Sequence, residues 1–312
     1  MNQVLTGTHE GLRLRLPATS ANLGPGFDAA AVALDFYLDI EAAPAVQFSI
    51  TARGRDWERC SRVEDNLILG IYQELLQRNG RPIVPLALTM ANGIPLGMGC
   101  GSSAAGRLAA IALAVHFGEL DWSPDRIHEE ACRLEGHPDN VSACWLGGFV
   151  ISSTEGSKIH SAKVVPSAEW RAIVVLPADP FPTRQARSLL PSDYTLKDVV
   201  ANIQAAALLG IAFAQSRGEL LCLGMKDRIH QPYRSPMCPL LSRILPLVEN
   251  HGILGAALSG AGPGVLAIVG SEHDVADASS AIRNAIDGFV AELVVSRFSF
   301  AGARELVEIF QP

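Results

Sequence analysis

None of the six cysteines, at 60, 100, 132, 144, 222 and 238, belongs to a CxxC pair, and their spacing matches no metal-ligand pattern. Scattered in this way they are expected to be buried thiols of a protein in a reducing cytoplasm. A basic stripe is also missing. Lys and Arg number 25 against 32 Asp and Glu, a net charge of −7, which argues against a nucleic-acid partner. It leaves room for a small anionic substrate, since a few local arginines suffice. The opening "MNQVLTGTHEGLRLRL" has no apolar core of signal-peptide length, so no export is expected. The longest uncharged stretch, "HGILGAALSGAGPGVLAIVG" (251–270), has the length of a membrane span. Its six glycines and Pro263 read instead as two short strands around a turn, so no membrane partner is expected. There are no internal repeats and no low-complexity segment.

What is present is a chain with 48% hydrophobic and 18% charged residues over 312 positions, enough for about two packed domains. "LRLRLP" (12–17) alternates with period two and reads as a half-buried strand ended by Pro17, before a loop "ATSANLGPGFD" (18–28). More strand-like sequence follows. After the "VEDN" at 63–66 an amphipathic helix is predicted to run to Arg78, stopped by Asn79-Gly80, and then a strand over 84–91. Ser103–His116 is apolar on nearly every side, which marks a buried helix. Ser123-Pro124-Asp125 caps another helix, with Gly136 as its end. From residue 165 the pattern restarts: a strand at 171–176, helices at 196–216 and 239–250, strands flanking "SGAGPG", a helix over 272–286 and a strand at 292–300. This βαββαβ order with extra helices suggests a ferredoxin-like second domain.

The stretch "PLGMGCGSSAAG" (95–106) places Gly97, Gly99 and Gly101 directly before the buried helix. Glycines let the backbone fold tightly and carry N–H groups close to a ligand. A helix starting at Ser102 or Ser103 aims unpaired donors and its positive dipole end at the same spot. Together these make a phosphate cradle, in which a side chain at Gly101 is expected to collide with phosphate. A tight turn before a buried helix reads equally well from this stretch alone. The Gly-Lys-Ser/Thr end of a Walker A loop is absent, and the dinucleotide GxGxxG pattern does not fit.

The order Pro-x-Gly-x-Gly-x-Gly-Ser-Ser-Ala-Ala resembles the ATP loop of the GHMP kinases, with Pro95, Leu96, Gly97, Met98, Gly99, Cys100, Gly101, Ser102, Ser103, Ala104 and Ala105 as its residues. "LPATSANLGPGFDAAAVALDFY" (16–37), "LEGHPDNVSACWLGGF" (134–149) and "LSGAGPGVLAIV" (258–269) narrow the resemblance to the homoserine kinases of that superfamily. "TRQAR" (183–187) and "DRIHQPYR" (227–234) match in order and spacing. Met98 and Cys100 depart from the usual loop, and Gly264 replaces a Thr or Ser. The resemblance implies an α+β fold of two domains, ribosomal-S5-like over 1–165 and ferredoxin-like over 166–312. It further implies a cytoplasmic enzyme that uses ATP and Mg²⁺ to phosphorylate the L-homoserine hydroxyl in threonine synthesis, and it leaves a homodimer open.

The implied roles follow from the substrate's chemistry. Homoserine is a zwitterion, and arginine's planar fork suits its carboxylate. By resemblance Arg187 and Arg234 bind it, with Thr183 close by. Asp28 and Asp139 take the ammonium, helped by Asn22 and His137. "GPGFD" and "HPDN" both read as loops, where an Asp is commonly a turn former, and no metal-binding cluster is evident around His137. Mg²⁺ is assigned to Ser103 and Glu135, with Glu129 and Glu130 as the fallback. Asn140 stands where many kinases of the superfamily have an aspartate. An amide is no general base near neutral pH. Asn140 is therefore expected to orient the hydroxyl while a γ-phosphate oxygen accepts the proton. The rivals are a kinase of the same superfamily for another small alcohol, and a non-catalytic ligand sensor of the same fold.

Overall fold

A computed structural model describes residues 10–179 and 183–311, with the backbone alone for Thr183 and Arg184. Two long strands, β1 (Gly11–Asn22) and β2 (Gly26–Pro44), open the chain, followed by β3 (Ser49–Gly54), the single-turn α1 (Trp57–Cys60), α2 (Leu67–Arg78) and β4 (Leu86–Asn92). Next come α3 (Ser102–Phe117), α4 (Pro124–Glu135), α5 (Asp139–Leu146) and the hairpin of β5 (Phe149–Glu155) with β6 (Lys158–Val164). The helix starts obey local chemistry. Asn66 accepts from the N–H groups of Ile68 and Leu69 at the head of α2, and Ser123 accepts from Arg126 at the head of α4. Gly136 ends α4 at φ 89°.

The second half contributes β7 (Arg171–Pro177), the short α6 (Thr183–Arg187) and the long α7 (Leu196–Ala214). Three short helices follow, α8 (Leu221–Gly224), α9 (Gln231–Arg234) and α10 (Pro239–Ile244). Then come β8 (Ile253–Leu258), β9 (Val265–Val269), α11 (Val275–Ala285), β10 (Ala291–Ser296) and β11 (Val307–Phe310). β10, β7, β9 and β8 form a four-stranded antiparallel sheet in that order, the βαββαβ ferredoxin-like arrangement the sequence suggested. The first sheet runs β11-β1-β2-β4-β3, with β5 on the free part of β2 and β6 on β5. The split expected at 165/166 gave the last strand to the second unit, but β11 pairs antiparallel with β1 and closes the first sheet.

Three other expectations are corrected. Pro17 does not end β1: a register shift between Pro17 and Ala18 absorbs the missing N–H, and the strand continues through the expected loop to Asn22. Only a tight turn remains, entered through Asn22 (φ 70°) and Leu23 (φ 46°) in left-handed backbone. The helix expected over 239–250 stops at Ile244 and passes into one 3₁₀ turn, Leu245–Leu247, around Pro246.

β7 and β9 are continuous apolar runs because both faces of their sheet are covered. Ala172, Val174, Leu266 and Ile268 join the core that spreads under the first sheet. Ile173, Val175, Val265 and Ala267 belong to a second core with residues of α10 and α11. α7 is long and apolar enough by composition to cross a membrane. Here its buried Leu209, Ala212 and Phe213 join the main core, with Phe213 stacked on Phe149 at 4.0 Å. The stretch 251–270 forms β8, a turn and β9.

Candidate active site

A cavity of about 380 Å³ lies between the two sheets, walled by the glycine loop, the β1–β2 turn, the start of α5, and Arg187 and Arg234. Gly97, Gly99 and Gly101 all sit in left-handed backbone, at φ 72°, 79° and 73°. Gly101 is the N-cap of α3 and has no capping side chain, so the first N–H groups of the helix face the cavity unpaired by any cap. The loop is pinned from three directions: Leu96 N–H donates to Asp56 (3.0 Å), Thr19 N–H to Cys100 O (3.1 Å), and Ser259 Oγ to Gly99 O (2.7 Å). Of the eleven residues expected to contact ATP, Leu96, Gly97, Gly99, Cys100, Gly101, Ser102 and Ser103 line the cavity. Pro95 and Met98 face a separate groove, and Ala104 and Ala105 are buried in the core. The departures Met98 and Gly264 turn out to touch. A Cβ on Gly264 would stand 2.6 Å from Met98 O, so a hydroxyl-bearing residue there would push against the loop. Cys100 is buried, and burial pushes its thiol up to about 12.

Gly101 also has a protein neighbour that the sequence did not indicate. Its missing Cβ leaves room for a protein group: a side chain there would overlap Thr19 Oγ1 and come within 3.3 Å of Asn140 Oδ1. Those two atoms are hydrogen-bonded at 2.7 Å, with Thr19 donating. Asn140 and Asp139 are no loop residues either. They form the first turn of α5, a helix buried along nearly its whole length.

Ser103 Oγ donates to Glu135 Oε2 at 3.0 Å, bringing together the hydroxyl and carboxylate assigned to Mg²⁺. Two hard oxygen donors side by side fit that ion. Arg107, one helical turn after Ser103, is paired with the same carboxylate oxygen at 2.8 Å and also bonds Ser103 Oγ. The fallback glutamates are elsewhere. Glu130 is held by Arg78 and Arg133, and it lines a different groove with Glu129.

At the other end of the cavity, Arg187 grips Asp28 with two parallel bonds of 2.6 and 2.9 Å. Asp28 sits at φ 56°. Arg234, only 1% exposed, donates from Nε to Ala186 O and from Nη1 to His230 Nδ1 (3.1 Å). Both guanidinium groups lie just over 5 Å from the Phe27 ring centroid. Burial, then the Arg187 charge, holds the Arg234 pKa below its ordinary value. Burial likewise lowers that of His230, so it is a neutral acceptor for Arg234 while its Nε2 bonds Gly24 O at 2.8 Å.

Asn22, expected to help with an ammonium, is engaged at both ends: its Nδ2 donates to Gly260 O (2.8 Å) and its Oδ1 accepts from Asp28 N–H (3.0 Å). It holds Asp28 in place. His137 Nδ1 lies 2.6 Å from Asp139 Oδ1. Burial opposes its charge, but the bond to Asp139 and the nearby carboxylates outweigh that and raise its pKa. Contrary to the sequence reading, Asp28, His137 and Asp139 do gather into a cluster, with ligand atoms within 4.8 Å of one another. Two carboxylates and an imidazole therefore face one another at this end of the cavity. The side chain of Thr183 lies outside the described residues.

Three residues of this site were not singled out from sequence. Arg107 was readable from its i, i+4 spacing to Ser103. His230 was likewise readable from its i, i+4 spacing to Arg234, though its other partner, Gly24, is 206 residues away, and Thr19 carries no local signal because Asn140 is 121 residues away.

Two family models match the chain: "GHMP kinases N terminal domain" over residues 66–148 and "GHMP kinases C terminal" over 209–288. A homoserine kinase of Solibacter usitatus is 41% identical over 84% of this chain and 86% of that protein. One from Carboxydothermus hydrogenoformans is 34% identical over 94% and 96%. Among solved structures, a putative homoserine kinase from Listeria monocytogenes superposes with a TM-score of 0.78 at 28% identity, covering 96% of this chain and 99% of that one. The motifs, the two-sheet cleft and these likenesses agree, and the chain belongs to the homoserine kinases of the GHMP family.

Proposed function

We propose that this protein transfers the γ-phosphoryl group of ATP to the side-chain hydroxyl of L-homoserine, giving O-phospho-L-homoserine on the way to threonine. The observation that carries this reading is one cavity with a helix-start phosphate cradle at one end and paired arginines and carboxylates at the other. ATP presents its phosphates to the N–H groups of the glycine loop and α3. The homoserine carboxylate pairs with Arg234 and Arg187, and its ammonium with Asp28 and Asp139. On binding, the zwitterion replaces the internal Arg187–Asp28 pair by two equivalent pairs of its own, so no charge is left uncompensated.

Ser103 and Glu135 would hold Mg²⁺, which when bound neutralises phosphate charge. Asn140 orients the substrate hydroxyl. That oxygen forms the new bond to the γ-phosphorus, the bond from phosphorus to the ADP oxygen breaks, and the hydroxyl proton passes to an oxygen of the transferred phosphoryl group. Every atom of this exchange comes from the two substrates, so the protein's part is positioning and charge.

Arg234→Ala tests the reading. Losing a charged partner of the carboxylate is worth about 1.5–3 kcal/mol. At roughly 1.4 kcal/mol per tenfold, the homoserine KM rises about tenfold to a hundredfold while the ATP KM barely moves. A variant that loses ATP affinity and keeps homoserine affinity would move Arg234 to the nucleotide site.

A further inference from the structure

We propose that Thr19 is a positioning residue for phosphoryl transfer, its hydroxyl fixing the Asn140 amide so that Nδ2 faces the hydroxyl to be phosphorylated. The inference rests on the orienting role given to Asn140 above. Thr19 lies in β1 with no exposure to solvent, and its Oγ1 donates to Asn140 Oδ1 at 2.7 Å. Its backbone N–H holds Cys100 O at 3.1 Å, and its hydroxyl fills the space that Gly101 leaves by having no Cβ. Thr19 is therefore the point where β1, the glycine loop and α5 meet.

Counting donors fixes the direction of the amide. Among the described residues, Asn140 Oδ1 is the acceptor found for the Thr19 hydroxyl. With the amide reversed, Nδ2 would donate to Oγ1, and the hydroxyl proton would be stranded in a dry site, which is costly. In the observed direction Thr19 is satisfied and Asn140, which lines the cavity, offers its N–H donors there. The consequence is chemical. The carbonyl of Asn140 is turned toward Thr19 and, as an amide, is too weakly basic to take the substrate proton. Nδ2–H instead bonds one lone pair of the nucleophilic oxygen, leaving the other for phosphorus and turning the proton toward the γ-phosphate.

The test is a double-mutant cycle of Thr19→Val, which keeps shape and removes the hydroxyl, with Asn140→Ala, plus Thr19→Ser as the conservative control. Thr19→Val is expected to lower kcat about tenfold or more, the scale of lost alignment, with both KM values within about threefold of wild type. Thr19→Ser restores most of kcat. In the Asn140→Ala background, Thr19→Val costs less than about twofold further, because the two groups act as one unit. Should Thr19→Val not fold, Thr19→Cys gives the same comparison, since a thiol is a poor donor. A Thr19→Val enzyme with wild-type kcat, or a loss that multiplies in full with Asn140→Ala, overturns the inference alone. Asn140→Ala with wild-type kcat overturns the Asn140 reading and this inference with it.

Discussion

Gly101 shows how much one missing side chain can carry. Its left-handed backbone at φ 73° starts α3, and the volume its Cβ would take is filled by the Thr19 hydroxyl. A substitution there strains the loop and also displaces the group that holds Asn140. Gly101→Ala is therefore expected to lower kcat at least about tenfold even when ATP saturates, since alignment at the reacting oxygen is lost. Steady-state kinetics over a full ATP range with calorimetric ATP binding checks this. A variant whose only change is a higher ATP KM would return Gly101 to a purely phosphate-facing role. The loop's dependence on glycine was readable from the spacing of 97, 99 and 101. What lies against it was not, because Thr19 and Asn140 are far from it in the chain.

At the scale of elements, legibility followed periodicity. α2 and α4 bury one stripe and carry ordinary caps, so their starts and stops are written locally. α5 was missed because all but one of its eight residues are buried and its opening Asp-Asn pair looks like a turn. The second half of β1 was missed for a related reason. Thr19, Ser20 and Asn22 are polar but buried, so no alternation shows. α5 is fastened by a buried polar chain: His128 Nε2 meets Ser142 Oγ at 2.8 Å, and Ser142 continues through Ser161 to Ser152 in the β5–β6 hairpin. Burial lowers the His128 pKa to about 4, from an ordinary value of 6.5. Between those values the unfolded chain binds a proton that the folded protein does not, so stability is full above pH 6.5 and is lost as pH falls toward 4. At about 1.4 kcal/mol per pH unit, this group removes roughly 2 kcal/mol between pH 7 and pH 5. Urea unfolding of wild type and His128→Gln at the two pH values isolates it. The variant should lose less stability on acidification, and equal losses would reject the assignment.

The whole molecule explains why the site needs both halves of the chain. The glycine loop, Asp28 and Asn140 belong to the first half, and Arg187 and Arg234 to the second. Ser259 and Gly260, in the turn after β8, bond Gly99 and Asn22 across the cleft. β11 returns to β1 and ties the end of the chain to its beginning. That return was not legible from its short, half-exposed sequence, whereas the paired apolar strands of the second sheet were. If one end of the cavity holds phosphate and the other the homoserine zwitterion, as proposed, the site selects for an alcohol bearing both an ammonium and a carboxylate. Mevalonate lacks the ammonium, galactose lacks both charges, and shikimate offers only the carboxylate. The most direct test is ADP release by the purified protein with ATP, Mg²⁺ and, in turn, L-homoserine and each of these three alcohols. The account predicts turnover with L-homoserine and background rates with the other three. Turnover that follows mevalonate, galactose or shikimate, or ADP release indifferent to homoserine, would contradict it.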